Sequence, residues 1–125
     1  MNKILSIVIP VYNKFNFTKS CLKDLSALPS DHEIIVVDNG STDETRASLE
    51  FSDTIKYIRN EKNFGFAKAC NIGYSVSTSN NVLFLNNDIR VKSNFDNWTK
   101  SLIDRCDYGL VGPTMGQLDN NLNFI

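Results

Sequence analysis

The sequence lacks any excess of basic residues, and this argues against a general nucleic-acid binder. Its 13 Lys and Arg residues stand against 14 Asp and Glu residues, which gives a net charge of −1. Without a positive surface, attraction to phosphate would have to come from a local site. The sequence also lacks an apolar run long enough to span a bilayer. With 42% hydrophobic residues in a chain of 125 residues, we expect one domain with one core.

The sequence is also poor in the features of secreted proteins. Its first apolar run ends at Pro10 with no small-residue cleavage site behind it, so we expect a strand rather than a signal peptide. Cys21, Cys70 and Cys106 are odd in number and far apart, and they form neither a metal-binding pattern nor a disulfide framework. Each lies on the apolar side of a predicted helix, where we expect it to be buried. This usage fits a reducing, cytoplasmic compartment.

Two glycine-rich phosphate-binding motifs are absent as well. No Gly-x-Gly-x-x-Gly follows the first strand and no Gly-Lys-Ser/Thr loop occurs, which argues against dinucleotide-binding and P-loop proteins. A receiver-like phosphorylation domain would need an acidic pair after the first strand and a Lys after the fifth. Tyr12-Asn13 and Gly112-Pro113 offer neither. The single histidine, His32, stands away from every polar cluster, and we expect it at the surface or at a strand edge.

What the sequence does contain is an alternation of short apolar runs and helical patterns. This alternation predicts an α/β fold with a mostly parallel sheet flanked by helices. The predicted strands are residues 4–10, 33–38, 55–59, 82–85 and 109–113. The predicted helices carry apolar residues at spacings of three and four. Their members are Phe17, Cys21, Leu25 and Leu28; Phe66, Ala69, Cys70, Gly73 and Tyr74; and Phe95, Trp98, Leu102, Ile103 and Cys106.

A further short helix is predicted to run to about Phe51 after the second strand. Asn39-Gly40 is expected to turn the chain there. Ser41-Thr42-Asp43-Glu44 has the pattern of a capping box, in which the Ser41 hydroxyl accepts from the Glu44 amide and the Glu44 carboxylate reaches back.

Polar clusters follow three of the predicted strands, and a fourth cluster opens the third helix. They are Pro10-Val11-Tyr12-Asn13, Asp38-Asn39-Gly40-Ser41, Asn86-Asn87-Asp88 and Asn63-Phe64-Gly65-Phe66. In open α/β sheets, ligands bind beyond the carboxyl ends of the strands. We therefore predict that the four clusters converge on one ligand site.

The residue types in these clusters suit a nucleotide and a cation. Tyr12 offers a ring on which a nucleobase could stack, although a Tyr that closes the rim of the core is an equal alternative. Asp38 could accept from a base NH or a ribose hydroxyl, although an Asp after a strand more often forms a turn. Asp88 suits a divalent cation bridged to a diphosphate, because Mg²⁺ and Mn²⁺ take one or two carboxylates plus substrate phosphates. Asn86 adds an amide oxygen without charge.

Together these motifs resemble family 2 glycosyltransferases of the GT-A fold. The resemblance rests on residues 6–13, 35–43, 63–67, 71–73 and 83–88, which occur in the family's order across nearly the whole chain. The Asn-Phe-Gly-Phe loop and the strand that ends in Asn-x-Asp are most similar to the rhamnosyltransferase-type branch, which assembles bacterial surface polysaccharides.

The resemblance implies a nucleotide-binding site with Asp88 as the ligand of a divalent cation, Mg²⁺ or Mn²⁺. The nucleotide-binding residues would be Pro10, Tyr12, Asp38, Asn39, Asn63, Gly65, Phe66, Asn86 and Asn87. Asn86 replaces the first Asp of the family's Asp-x-Asp motif, which weakens the charge offered to the cation. The cation would stabilise the departing nucleoside diphosphate.

The implied reaction is transfer of a sugar, with inversion, from a UDP- or dTDP-linked donor to the hydroxyl of a saccharide or lipid-linked acceptor in cell-surface polysaccharide synthesis. The catalytic base and the acceptor-binding half are expected beyond Ile125, so residues 1–125 would be the donor-binding part of a GT-A domain, inactive alone. Exposed apolar surface at the missing half would cause self-association or limited stability. Association with the inner face of the membrane rests on the family alone. A non-catalytic nucleotide-sugar-binding scaffold module is the alternative.

Overall fold

The structure, a computed structural model, describes residues 3–105 and 109. Its strands and helices alternate along the chain, as the sequence pattern predicts. They are β1 (Ser6–Val11), α1 (Phe15–Ser26), β2 (Glu33–Asp38), α2 (Thr45–Leu49), β3 (Ile55–Arg59), α3 (Phe66–Ser75), β4 (Val82–Phe84) and α4 (Phe95–Ile103). Cys106 and the predicted fifth strand, apart from Gly109, lie outside the described residues. None of the described helices is long and apolar enough to cross a membrane.

The four strands form one parallel sheet in the order β3-β2-β1-β4. The register pairs Val11 of β1 with Asp38 of β2, and Asp38 with Arg59 of β3. β1 is buried along its whole length, as expected for an apolar strand covered on both faces. β3 lies at the side of the sheet, which its lower hydrophobicity predicted. All four strands end at one edge, named the carboxyl edge, and begin at the opposite edge, named the amino edge.

The larger part of the core lies on the face of the sheet covered by α1 and α2. Because successive side chains of a strand point to opposite faces, every second residue of β1 contributes to it. The buried members are Leu5, Ile7, Ile9, Val11, Cys21, Leu22, Leu25, Val36 and Leu49. Phe95 of α4 packs against the same cluster, so three helices share this face.

Helix α3 covers the other face and approaches it closely. Val8, Ile35, Val37 and Ala69 form the buried cluster there. A Cβ atom on Gly73 would lie 2.2 Å from Cγ1 of Val8, so only glycine permits this packing distance. The tight contact holds the second half of α3 directly against β1 and β2.

The predicted apolar faces of α1 and α3 are only partly the buried ones. Cys21 and Leu25 are buried as predicted, but Phe17 is exposed and Thr18 takes a buried position in its place. Cys70 is buried in α3, whereas Phe66 and Tyr74 are exposed. The apolar periodicity located the helices correctly. It did not predict which residues near the helix ends are buried, because the neighbouring elements decide that.

The predicted capping box is wrong. Helix α2 begins at Thr45 without a side-chain cap from Ser41. The Ser41 hydroxyl instead accepts from the backbone NH of Asn13 at 2.7 Å. Asp43 takes over at the helix start, where its Oδ1 accepts from the backbone NH of Thr45 at 3.0 Å and from the Thr45 hydroxyl at 2.6 Å.

At the amino edge of the sheet, polar side chains form hydrogen bonds with one another. The Glu33 carboxylate, 11% exposed, accepts from the Ser6 hydroxyl at 2.5 Å and from Lys56 Nζ at 3.0 Å. It also accepts from the backbone NH of Thr78 at 2.8 Å and from the Thr78 hydroxyl at 3.0 Å. One carboxylate therefore ties β1, β2, β3 and the segment after α3 together.

The surface position predicted as one alternative for His32 is wrong, because its side chain, just before the start of β2, is buried with 3% exposure. Its Nε2 lies 2.7 Å from Oδ1 of Asp96, whose other oxygen accepts from the backbone NH of Ser30 at 2.9 Å. Among the described residues, Nδ1 of His32 has no hydrogen-bond partner. Asp96 and Thr99 are thus the buried residues of α4, while Trp98, which the pattern placed on the apolar face, is exposed.

Candidate functional site

The carboxyl edge brings the predicted polar clusters together. Tyr12 follows the end of β1, and the backbone NH of Asn39 donates to the carbonyl of Val11 at 2.8 Å. Across the next strand pair, the NH of Asn60 donates to the carbonyl of Asp38 at 2.8 Å. β4 pairs with β1 in the same direction, so the segment with Asp88 leaves the sheet at this edge too. The three strand-end clusters therefore lie at one edge of the sheet, as the sequence predicted, and their union into one ligand site stays a prediction.

The loops after β1 and β2 are locked to each other through Asn13. Its Oδ1 accepts from the backbone NH groups of Thr42 at 2.7 Å and Asp43 at 3.2 Å. Asn13 and Lys14 both have φ of 56°, a left-handed conformation that Asn tolerates better than most residues. The Asp43 carboxylate accepts from the backbone NH of Phe15 at 3.0 Å. These bonds set where Tyr12 leaves the sheet.

Asp38 lies beneath this locked pair of loops and is fully buried. Its Oδ1 accepts from the backbone NH of Ser41 at 2.8 Å. Its Oδ2 accepts from Arg59 Nη1 at 2.7 Å and from the hydroxyl of Tyr57. Burial together with the hydrogen bond to Asp38 raises the pKa of Tyr57 to about 12, so the phenol stays protonated and donating. Sequence reasoning missed both Tyr57 and Arg59.

Asn39 holds the glycine loop against the end of β2. Its Nδ2 donates to the carbonyl of Gly65 at 3.3 Å, and its Oδ1 accepts from Nδ2 of Asn60 at 2.8 Å. With 4% exposure, Asn39 acts as a brace within the site. Pro10, buried inside β1, likewise supports the site from below.

Two glycines with positive φ shape this region, and Gly40 also makes a close backbone approach. Gly40 has φ of 81°, and a Cβ there would lie 3.1 Å from the backbone Cα of Lys62. Gly65 has φ of 89° and immediately precedes α3. Oδ1 of Asn63 accepts from the backbone NH of Gly65 at 2.9 Å, which shapes the loop before the helix. The turn predicted at Gly40 is confirmed.

Aromatic side chains stand on the surface of this edge. Tyr12 is 49% exposed and Phe66 is 57% exposed. Phe64 lies between two cations, with Lys68 Nζ 3.9 Å and Lys62 Nζ 5.5 Å from its ring centroid. The exposed rings of Tyr12 and Phe66 offer surface to a flat ligand, and the exposed ammonium groups of Lys62 and Lys68 beside half-buried Phe64 offer positive charge to an anionic one.

The segment after β4 offers oxygen atoms to solvent. Asn86 and Asp88 are exposed, and Nδ2 of Asn87 donates to the Thr18 hydroxyl at 3.1 Å. Within residues 3–105, Asp88 forms no ion pair, and no group of three or more His, Cys, Asp and Glu side chains could enclose a metal. A single free carboxylate fits a hard cation that takes its other ligands from a substrate diphosphate and water.

Residues 6–115 match glycosyl transferase family 2. Glycosyltransferase GlyG of Streptococcus pneumoniae serotype 4 is 30% identical over 99 residues, covering 75% of this chain and 33% of GlyG. The crystal structure of S. aureus TarS in complex with UDP matches with a TM-score of 0.72 at 25% identity, covering 84% of this chain and 32% of TarS. Mannosyltransferase PcManGT from Pyrobaculum calidifontis, in complex with GDP-Man and Mn²⁺, has a TM-score of 0.72 at 20% identity over 93% of this chain and 34% of that one.

The parallel sheet with its flanking helices is thus a GT-A fold, as the sequence predicted. Within that class, the chain belongs to glycosyltransferase family 2. It spans about a third of the length of GlyG. The narrower resemblance to the rhamnosyltransferase-type branch stays a prediction.

Proposed function

We propose that this chain forms the donor-binding part of an enzyme that transfers a sugar, with inversion, from a nucleoside-diphosphate sugar to an acceptor hydroxyl in cell-surface polysaccharide synthesis. The observation that carries the proposal is that Tyr12, Phe66 and Asp88 are exposed in segments that follow strand ends at one edge of the sheet, while hydrogen bonds from Asn13 and Asn63 shape the loops beside them. The solved complexes of TarS with UDP and of PcManGT with GDP-Man support a nucleotide-sugar ligand. We favour a UDP- or dTDP-linked donor.

The base would lie against the ring of Tyr12, above a floor made by Pro10, Asp38 and Asn39. Stacking on an exposed aromatic ring is a common way to hold a base, and the locked loop around Asn13 keeps that ring in position. The loop with Asn63, Gly65 and Phe66 would cover the donor from the α3 side. It begins beside Gly40, where a Cβ would crowd the Lys62 backbone at 3.1 Å and the positive φ disfavours a larger residue.

Asp88 would hold a Mg²⁺ or Mn²⁺ ion, with Asn86 and Asn87 beside the diphosphate. When bound, the cation supplies positive charge against the diphosphate leaving group. The chain itself contributes one carboxylate and two amides here, so most of the ligands would come from the donor and from water. The Mn²⁺ present with GDP-Man in PcManGT supports the use of a divalent cation.

The remaining steps would depend on parts found in the longer relatives. We infer that residues 1–125 belong to a GT-A domain whose acceptor site and catalytic base lie beyond Ile125. Exposed Phe84 on β4 supports the expectation that apolar surface here is covered by another segment or by self-association. We further propose that the enzyme acts in the cytoplasm, at the inner face of the membrane.

Calorimetry with and without Mn²⁺ tests the proposal. The chain is expected to bind UDP or dTDP more tightly in Mn²⁺, and Asp88→Ala is expected to abolish that gain. Asp53→Ala is the matched control, because Asp53 is an exposed carboxylate at the amino edge. Binding of UDP, dTDP and GDP sugars in parallel identifies the donor. Equal affinity with and without Mn²⁺ would refute the cation site, and no binding of any nucleoside diphosphate would refute the function.

A further inference from the structure

The Asp38 carboxylate cannot meet a nucleotide directly in this structure. It is fully buried, and its two oxygens accept from three donors, namely Ser41 NH, Tyr57 Oη and Arg59 Nη1. Because Asp38 is fully buried, a base NH or a ribose hydroxyl could reach its oxygens only if the residues around it moved. The role first expected for Asp38, direct acceptance from the ligand, therefore needs another group at the surface of the pocket.

Arg59 is bound to Asp38 and reaches the surface beside it. Its side chain is 29% exposed, while its Nη1 donates to Asp38 and its Nη2 donates to the carbonyl of Ser41 at 3.0 Å. Two anchors hold the guanidinium plane in a fixed direction, so little side-chain freedom remains to be lost on binding. A guanidinium carries five NH donors and no acceptor. Any ligand atom that it meets must therefore be a hydrogen-bond acceptor.

The order of the strands decides which end of the donor Arg59 would meet. Arg59 ends β3 at one side of the sheet, and Asp88 follows β4 at the other side. Neighbouring strands lie about 4.8 Å apart, so three spacings separate β3 from β4 by about 14 Å, and the Asp88 segment leaves the sheet on the far side from Arg59. If Asp88 faces the diphosphate through a cation, Arg59 lies at the base end of the nucleotide.

We propose that Arg59 determines the base specificity of the donor site by donating to a carbonyl oxygen of the base, with Asp38 and Tyr57 as positioning residues. Bases with a carbonyl at that position, such as uracil, thymine and guanine, are then preferred over bases with an amine there, namely cytosine and adenine. The inference rests on the proposed function, because it assumes a nucleotide at this edge.

UDP and CDP form the matched ligand pair, because the base of CDP has an amine in place of the uracil O4 carbonyl, and GDP and ADP form the corresponding purine pair. Calorimetry with Mn²⁺ on the 125-residue chain is expected to show a preference of about tenfold or more for the carbonyl member of one pair. Arg59→Gln is expected to remove this preference, mainly by lowering the affinity for the ligand whose base has the carbonyl. Arg46→Gln removes the same charge from an exposed arginine of α2 that pairs with Glu50, and it is expected to keep the preference.

Thermal unfolding of each variant guards against a loss of fold. Arg59→Lys keeps a cation beside buried Asp38 but loses the planar pair of donors, so it is expected to fold and to lose most of the preference. If wild type binds UDP and CDP equally, and GDP and ADP equally, or if a folded Arg59 variant keeps the full preference, the inference is overturned while the proposed function stands. If wild type binds no nucleoside diphosphate at all, the proposed function fails.

Discussion

The two edges of the sheet use polar residues in opposite ways. At the amino edge, Glu33 and Asp96 are each surrounded by donors from other segments, and His32 is buried against Asp96. At the carboxyl edge, Asp38 is equally enclosed, but Tyr12 and Asp88 are left in solvent. Buried polar groups that satisfy one another stabilise the fold, whereas groups held at a fixed place without a partner are available to a ligand. The contrast predicts that substitutions at the two edges change different measured quantities.

The largest expected effect is on stability, at the amino edge. Asp96→Ala removes the partner of buried His32 and of the Ser30 backbone NH, and it is expected to lower the free energy of unfolding by about 3 kcal/mol. Urea denaturation followed by circular dichroism measures the loss. Asp104→Ala, on an exposed carboxylate at the end of the same helix, is expected to change stability by no more than about 0.5 kcal/mol. Equal effects of both variants would remove the contrast between the edges.

Glu33 is expected to make stability depend on acid pH. Burial would raise its pKa, but the hydrogen bonds from Ser6, Thr78 and Lys56 outweigh burial and lower the pKa to about 2. Its contribution is therefore complete above the unfolded pKa of about 4.3 and is lost as the pH falls towards 2. Urea denaturation at pH 6 and pH 3 is expected to show that wild type loses about 1–2 kcal/mol more than Glu33→Gln does. Glu61→Gln, on an exposed carboxylate, should follow wild type.

At the carboxyl edge the expected effect moves from stability to binding. Tyr12→Ala is expected to weaken UDP binding by about tenfold, because one stacked base contributes about 1–3 kcal/mol. Tyr74→Ala is the control, since Tyr74 is 61% exposed on α3 and lies outside the proposed site. Both variants should unfold at nearly the wild-type temperature. A Tyr12 variant that loses stability but keeps its affinity would assign Tyr12 to the core rim.

The smallest expected effect is a gain. Asn86→Asp adds a second carboxylate to the segment after β4, where Asn86 is exposed. It is expected to increase the Mn²⁺-dependent part of the affinity by about fivefold, from roughly 1 kcal/mol of additional attraction in water. Asn97→Asp makes the same charge change on the exposed side of α4 and should leave the affinity unchanged. If Asn86→Asp does not increase the Mn²⁺-dependent affinity, the segment after β4 does not lie beside the cation.

The sequence predicted the strands better than the helix faces, for a physical reason. A strand covered on both faces is apolar throughout, so the run before Pro10 and the run before Asp38 could be located without knowing their neighbours. Burial on α4 depends instead on His32, which lies 64 residues before Asp96 in the chain. No local pattern reports a contact at that separation.

The candidate site was predictable to a similar extent. Parallel strands share one edge, so the place of Tyr12 and the other strand-end residues followed once the strands were known. The partners of Asp38 did not follow, because the register between β2 and β3 had to be known before Arg59 could be set beside it. The available signal was that Tyr57 and Arg59 stand two residues apart, on the same side of a strand that ends at the site.

The sheet also carries a thiol on each side, Cys21 under α1 and Cys70 under α3. Burial, with smaller contributions from Asp24 and Asp88, raises the pKa of Cys21 to about 11, and burial raises the pKa of Cys70. Both thiols are therefore protonated and shielded at neutral pH, and neither reacts until its helix lifts from the sheet. The rate at which each thiol is alkylated therefore measures how often the helix that covers it separates from the sheet. Cys21 reports this motion for α1, and Cys70 reports it for α3.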